Sequence, residues 1–200
     1  MSVGERQAAL EQLADRIREH RGCGFEPCET CTQQVPGEGP AAAEVMLIGE
    51  APGEQEDATG RPFVGNAGRF LDRLLEHAGL RRDEVFITNV LKARPPGNRD
   101  PRPAEVAHSR PWLDEQIELV RPRLLVLLGR HAYEAFVPGG KISREHGQPR
   151  ELAGGVVAFP VYHPSAALRV DVLRAGLRAD FDRLPELLEQ LRAGGRVGAT

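Results

Sequence analysis

The residues able to do chemistry in this 200-residue chain fall into a few short segments. Cys23, Cys28 and Cys31 are its only cysteines, and so close and odd-numbered a set in a reducing compartment points to metal ligation rather than to a disulfide framework. Glu50, Glu56 and Asp57 share the stretch GEAPGEQED, where a carboxylate can orient or deprotonate a water. Asn89 lies inside the apolar run VFITNVL, although asparagine is depleted in strands, so its amide needs a reason to be there. That amide offers an acceptor and a donor, enough to read two polar groups on a ring edge. His163 heads the tripeptide HPS after another apolar run, and a neutral imidazole there can donate to negative charge that develops during a reaction.

Such residues, far apart in sequence, need a scaffold that gathers them. Four apolar runs read as strands: EVMLIG at 44–49, VFITNVL at 85–91, RLLVLLG at 123–129 and VVAFPVYHP at 156–164. The first three are nearly continuous apolar runs, as strands buried on both faces are. Helical spacing covers residues 5–19, residues 66–78 with Asn66 as N-cap and Gly79 as the stop, and residues 103–120 opened by Pro103. A last amphipathic helix is expected from about Leu177 to Leu191, followed by a mobile tail, RAGGRVGAT. Strand and helix alternate, which predicts an α/β fold: three layers, α/β/α, around a central, mostly parallel four-stranded sheet, with room for a local hairpin within 143–161. Ligands bind outside the carboxyl ends of strands in such sheets. GEAPGEQED, Asn89 with KARPPGNRDPRP, Gly129 and HPS all fall at those ends.

Length and a 40% hydrophobic content allow one substantial core. The expected division is an N-terminal helix and cysteine-rich loop over 1–40 packed on a main domain over 41–192, with the tail at 193–200. The sequence has neither an apolar stretch long enough for a membrane span nor a signal-peptide core, so a cytoplasmic protein is expected. A net charge of −3 does not mark a general nucleic-acid binder, and any polyanion contact must be local. The loop 92–102 is the candidate, since Lys92, Arg94, Arg99 and Arg102 outweigh Asp100.

Three blocks carry a specific resemblance. GEAPGEQEDATGRPFVGNAG at 49–68, TNVLKARPPGNRDP at 88–101 and HPSAALR at 163–169 resemble the signature blocks of family 4 uracil-DNA glycosylases, in that family's order, and the similarity runs from about Val45 to Leu191. The resemblance implies an enzyme that flips deoxyuridine out of DNA and hydrolyses its N-glycosidic bond, giving free uracil and an abasic site in base excision repair. Phe63 would stack on the base. Asn89 would pair with uracil N3–H and O4, a pattern that cytosine inverts. His163 would donate to uracil O2, and Glu50 would orient water or stabilise the sugar cation, with Glu56 and Asp57 as alternatives in the same loop. Gly49, Ala51 and Gly53 would shape the uracil pocket. Lys92, Arg94, Arg99, Ser165, Leu168 and Arg169 would face the DNA, with Leu168 as an exposed apolar tip that fills the gap left by the flipped nucleotide.

The resemblance is incomplete at the metal. Family members carry a four-iron, four-sulfur cluster on four cysteines, whereas here Ala93 stands at one cysteine position and His108 at or near another. The ligand set is then Cys23, Cys28, Cys31 and His108, holding a structural 4Fe-4S cluster, holding zinc, or holding no metal. The expected partner is uracil-containing DNA, single or double stranded, bound by a monomer. No lysine is placed for a lyase step, and no KRRIH insertion lies between Asn89 and His108. Two other readings stay open: a relative acting on hypoxanthine or xanthine, and a noncatalytic binding module on the same fold.

Overall fold

A computed structural model describes residues 1–25 and 31–195, so Cys28 and the tail beyond residue 195 lie outside the described residues. Helix α1 (Val3–Glu19) starts at a capping box in which Ser2 accepts from the Glu5 backbone and Glu5 accepts from the Ser2 N–H. Strands β1 (Val45–Gly49), β2 (Phe86–Asn89), β3 (Leu124–Leu128) and β5 (Val157–Val161) are parallel neighbours in the order β2, β1, β3, β5. Every residue of these four strands is buried. That explains their unbroken apolar sequences, because alternate side chains must be apolar toward both covered faces.

One face of the sheet carries Leu47, Ile87, Val126 and Phe159. Against it pack α3 (Asn66–His77), α8 (Asp171–Asp182) and α9 (Leu184–Arg192), through Leu71, Phe181 and Leu188 among others. The other face, with Met46, Ile48, Leu125 and Leu127, packs against α1, α4 (Pro103–Val120) and α5 (Arg130–Phe136) through Leu13, Leu113 and Ala132. The three-layer arrangement is therefore present. No helix among the described residues is long and apolar enough to cross a membrane.

Three expectations need correction. The sheet has five strands rather than four, since β4 (Arg150–Glu151) pairs antiparallel with β5, making the hairpin for which the sequence left room. Both β4 side chains are exposed, so no apolar pattern announces the strand. The last helix is two helices: Pro185 has no N–H to give to the carbonyl four residues earlier, and the helical ladder is interrupted at Arg183 between α8 and α9. The N-cap of α3 is Gly65, with Asn66 as the first helical residue.

Candidate active site

A cavity of about 730 Å³ opens at the carboxyl ends of β1, β2, β3 and β5, and Glu50, Ala51, Gly53, Phe63, Asn89 and His163 all line it. Gly49 makes the convergence possible. A Cβ placed there would stand 2.3 Å from Asn89 Oδ1 and 2.5 Å from Phe63 Cζ, so the amide and the aromatic ring close on the same backbone position. The rings of Phe63 and His163 lie 5.9 Å apart between centroids. Phe63 adopts φ +50°, an uncommon conformation for a bulky side chain. Arg82 supports it, donating to the carbonyls of Pro62 at 2.6 Å and Phe63 at 3.2 Å.

Asn89 is 1% exposed, and its Oδ1 is the one buried side-chain polar atom without a hydrogen-bond partner among the described residues. An orphaned buried acceptor costs about 1–3 kcal/mol, so a site that tolerates it is built for a donor yet to arrive. His163 sits at the N-cap of the short helix α7 (Pro164–Ala167), where its Nδ1 accepts from the Ser165 backbone at 3.1 Å. The residue is half-buried, and burial pushes its pKa down to about 4, with Glu56 opposing and His131 adding to the shift. The imidazole is therefore neutral near pH 7.

The three carboxylates of the first loop separate by their partners. Glu56 accepts from the backbone N–H groups of Val64 at 2.8 Å, Gly65 at 2.9 Å and Gly53 at 3.2 Å, so it braces the loop that carries Phe63. Asp57 is buried and accepts from Thr32 N–H at 2.9 Å and Thr32 Oγ1 at 2.8 Å, tying α2 (Glu54–Thr59) to the chain just after the cysteines. Glu50 is left facing the cavity, with burial raising its pKa.

The expected DNA face holds only in part. Lys92 is buried and does not face solvent: its ammonium donates to Gln116 Oε1 at 2.7 Å and to Thr88 Oγ1 and the Asn89 carbonyl at 2.8 Å. Arg99 is paired with both carboxylate oxygens of the buried Glu105, and Arg94 donates to Asn98 Oδ1 at 2.8 Å. Arg102, Ser165 and Arg169 are exposed. Leu168 is not an exposed tip but packs against the core, and the exposed apolar side chains that follow it are Val170 at 44% and Val172 at 74%. Sequence reasoning passed over these two, and also Arg130 and His131, and counted Asp100 only against the basic loop; all of Asp100, Arg130 and His131 line the cavity.

Cys23 is buried and Cys31 half-buried, while His108 Nε2 lies 3.1 Å from the Gly22 carbonyl and 3.2 Å from Nε2 of His20, a residue the sequence did not single out. Among the described residues, Cys23, Cys31 and His108 do not bring three ligand atoms within 4.8 Å of one another. Ala93 is buried and offers no donor, so a four-thiolate set does not fit, and the two described cysteines, Cys23 and Cys31, are disulfide-bonded, against the expectation of metal ligation in place of a disulfide.

Comparison with known proteins agrees with this geometry. The profile of the uracil DNA glycosylase superfamily matches residues 36–190. A type-4 uracil-DNA glycosylase of Sulfurisphaera tokodaii is 43% identical over 190 residues, covering 90% of this chain and 84% of its own. That of Archaeoglobus fulgidus is 42% identical, covering 89% of this chain and 94% of its own. A type-5 uracil-DNA glycosylase of Thermus thermophilus is 34% identical over 78% of this chain and 77% of its own.

Proposed function

The chain belongs to the uracil-DNA glycosylase superfamily, is similar along most of its length to type-4 members and removes uracil from DNA in base excision repair; from that premise we propose how its residues divide the work. The observation that carries the assignment is the orphaned Oδ1 of Asn89. Uracil presents N3–H to that acceptor and O4 to the adjacent NH₂, whereas cytosine offers an unprotonated N3 and an amino group, so the wrong base leaves buried groups unmatched. Phe63 stacks on the flipped ring, and Gly49 leaves the base room to approach the amide.

Hydrolysis breaks the bond between C1′ of the sugar and N1 of the base. The bonding electron pair moves into the uracil ring, and Nε2–H of neutral His163 donates to O2 as its negative charge grows. A water held by Glu50 forms the new bond to C1′ and passes a proton to the carboxylate; the uracil departs as an anion and takes a proton from solvent, which leaves an abasic site and free uracil. Glu50 takes this role because Glu56 and Asp57 are already committed to backbone and threonine donors.

Arg169, Ser165 and Arg102 contact phosphates on either single-stranded or double-stranded substrate, and the monomer is the working unit. Where the chain does carry a metal, Cys23, Cys28, Cys31 and His108 would be the residues to hold a structural iron–sulfur cluster or zinc, which would take no part in the hydrolysis. Metal analysis with the visible spectrum of anaerobically purified protein tests that part; neither iron nor zinc at stoichiometric level overturns it. For the activity itself, the protein is incubated with uracil-containing single and double strands and treated with alkali. Strand scission at uracil is expected, and its absence on both substrates overturns the reading.

A further inference from the structure

His131 and Asp100 reach the cavity from two different elements and meet in front of Glu50. Asp100 comes from the loop before α4, and His131 from the first turn of α5. Nε2 of His131 stands 3.3 Å from Asp100 Oδ2 and 3.9 Å from Glu50 Oε2, and the ligand-bearing atoms of all three lie within 4.8 Å of one another. Arg130 donates to Asp100 Oδ2 at 2.7 Å. Among the described residues no other three His, Cys, Asp or Glu side chains bring their ligand atoms this close.

The half-buried Glu50 is disfavoured as an anion by burial and by the nearby Asp100, so a cation beside it has an effect. We propose that His131 is a positioning residue for uracil excision: held by Asp100, its ring keeps the Glu50 carboxylate anionic and able to accept a water. The inference rests on Glu50 as the water-holding group. Charged groups face Glu50 from two sides only, Asp100 from its loop and Arg130 with His131 from α5; beyond them His163 faces Glu56 and His131, and Arg99 is taken up by Glu105. Burial raises the pKa of Glu50, His131 most strongly opposes that shift, Asp100 adds to it and Arg130 counters.

The ring has a partner in either protonation state. With the ring neutral, Nε2 accepts from Arg130 Nη2 at 2.9 Å; with it protonated, the exposed Arg130 side chain turns aside and Nε2–H donates to Asp100 Oδ2 3.3 Å away, which places the positive charge beside Glu50. An opposite charge at about 4 Å favours ionisation of a carboxyl group by about one pKa unit or more.

The test compares wild type, His131→Gln, His131→Lys and Glu50→Gln by single-turnover excision from a uracil-containing oligonucleotide between pH 4.5 and 9. His131→Gln is expected to move the acid limb of the rate profile upward by about one pH unit while the half-saturating DNA concentration stays put, and His131→Lys is expected to restore the limb. Carboxyl ¹³C titration of Glu50 in wild type and His131→Gln reads the same shift without turnover. Glu50→Gln slowing excision with an unmoved limb in His131→Gln overturns the inference alone. Equal displacement of the limb by Gln and Lys also overturns it, since a packing defect would do that. Undiminished excision by Glu50→Gln overturns the assignment of Glu50 and this inference with it.

Discussion

Nδ1 of His163 accepts the backbone N–H of Ser165 at 3.1 Å, and that bond decides which ring nitrogen carries the proton. With Nδ1 an acceptor, the neutral ring is protonated on Nε2, which makes that nitrogen a donor. A donor is what an oxyanion on the departing base needs.

The first prediction follows from the ring's charge. Burial lowers the pKa of His163 to about 4, so the imidazole stays neutral across the pH range of the reaction. An unfolded chain takes up the proton near pH 6.5, whereas the folded one resists until about pH 4. The stability that His163 contributes is therefore complete above about pH 6.5 and is lost as pH falls from there to about 4. Denaturation midpoints should show wild type losing ground to His163→Gln across that window, and NMR of the imidazole should report the low titration point directly. His163→Ala should slow excision about 100-fold, the loss typical of one electrostatic donor.

Asn89 and Gly49 give the second. Asn89→Ala removes the amide that reads the base and should lower excision by about 100-fold or more with DNA affinity nearly unchanged, as measured by single turnover and by fluorescence anisotropy. Gly49→Ala should be as damaging by a different route, because its methyl group would stand 2.3 Å from Asn89 Oδ1 in the space the base needs. Normal excision by either variant would remove the pocket assignment.

Much of this was legible in the sequence, for a physical reason. Strands covered on both faces must be apolar throughout, so β1, β2 and β3 stood out, and Asn89 stood out because it broke that rule. Lys92 misled for the opposite reason: a lysine in a basic loop reads as solvent-facing, and only the fold reveals three acceptors waiting for it inside. The two-residue strand β4 carries no buried side chain, and the Asp100, Arg130 and His131 meeting depends on a loop and the start of α5, whose approach no local spacing encodes. Glu56 could not be told from Glu50 until its three backbone partners were seen.

Lys92 and Arg169 supply the third prediction, because one is buried and the other exposed. Three acceptors match the three N–H groups of an ammonium, while burial lowers its pKa to about 7. Lys92→Met strands those acceptors and should cost about 3 kcal/mol. Since the unfolded amine titrates near pH 10.4, wild type should gain stability relative to Lys92→Met as pH rises from 7 toward 10. Arg169→Ala should leave the melting temperature alone and flatten the salt dependence of DNA binding by about one phosphate contact. A flattened salt dependence in a folded Lys92→Met would return that lysine to the DNA face.

Glu50 and Glu56 are six residues apart, one on the loop after β1 and the other on α2, and their substitution should separate support from chemistry. Glu56→Ala leaves the N–H groups of Gly53, Val64 and Gly65 without their acceptor and should cost about 2 kcal/mol of stability. The loop carrying Phe63 then loosens, so the half-saturating concentration of uracil-DNA should rise. Glu50→Gln keeps the shape of the side chain and removes only the charge. Thermal melting should be little changed, while the rate of excision at saturating DNA falls, because the loss is confined to the step in which water attacks the sugar. The opposite pattern, an unstable Glu50→Gln and a slow but fully stable Glu56→Ala, would exchange the roles of the two carboxylates.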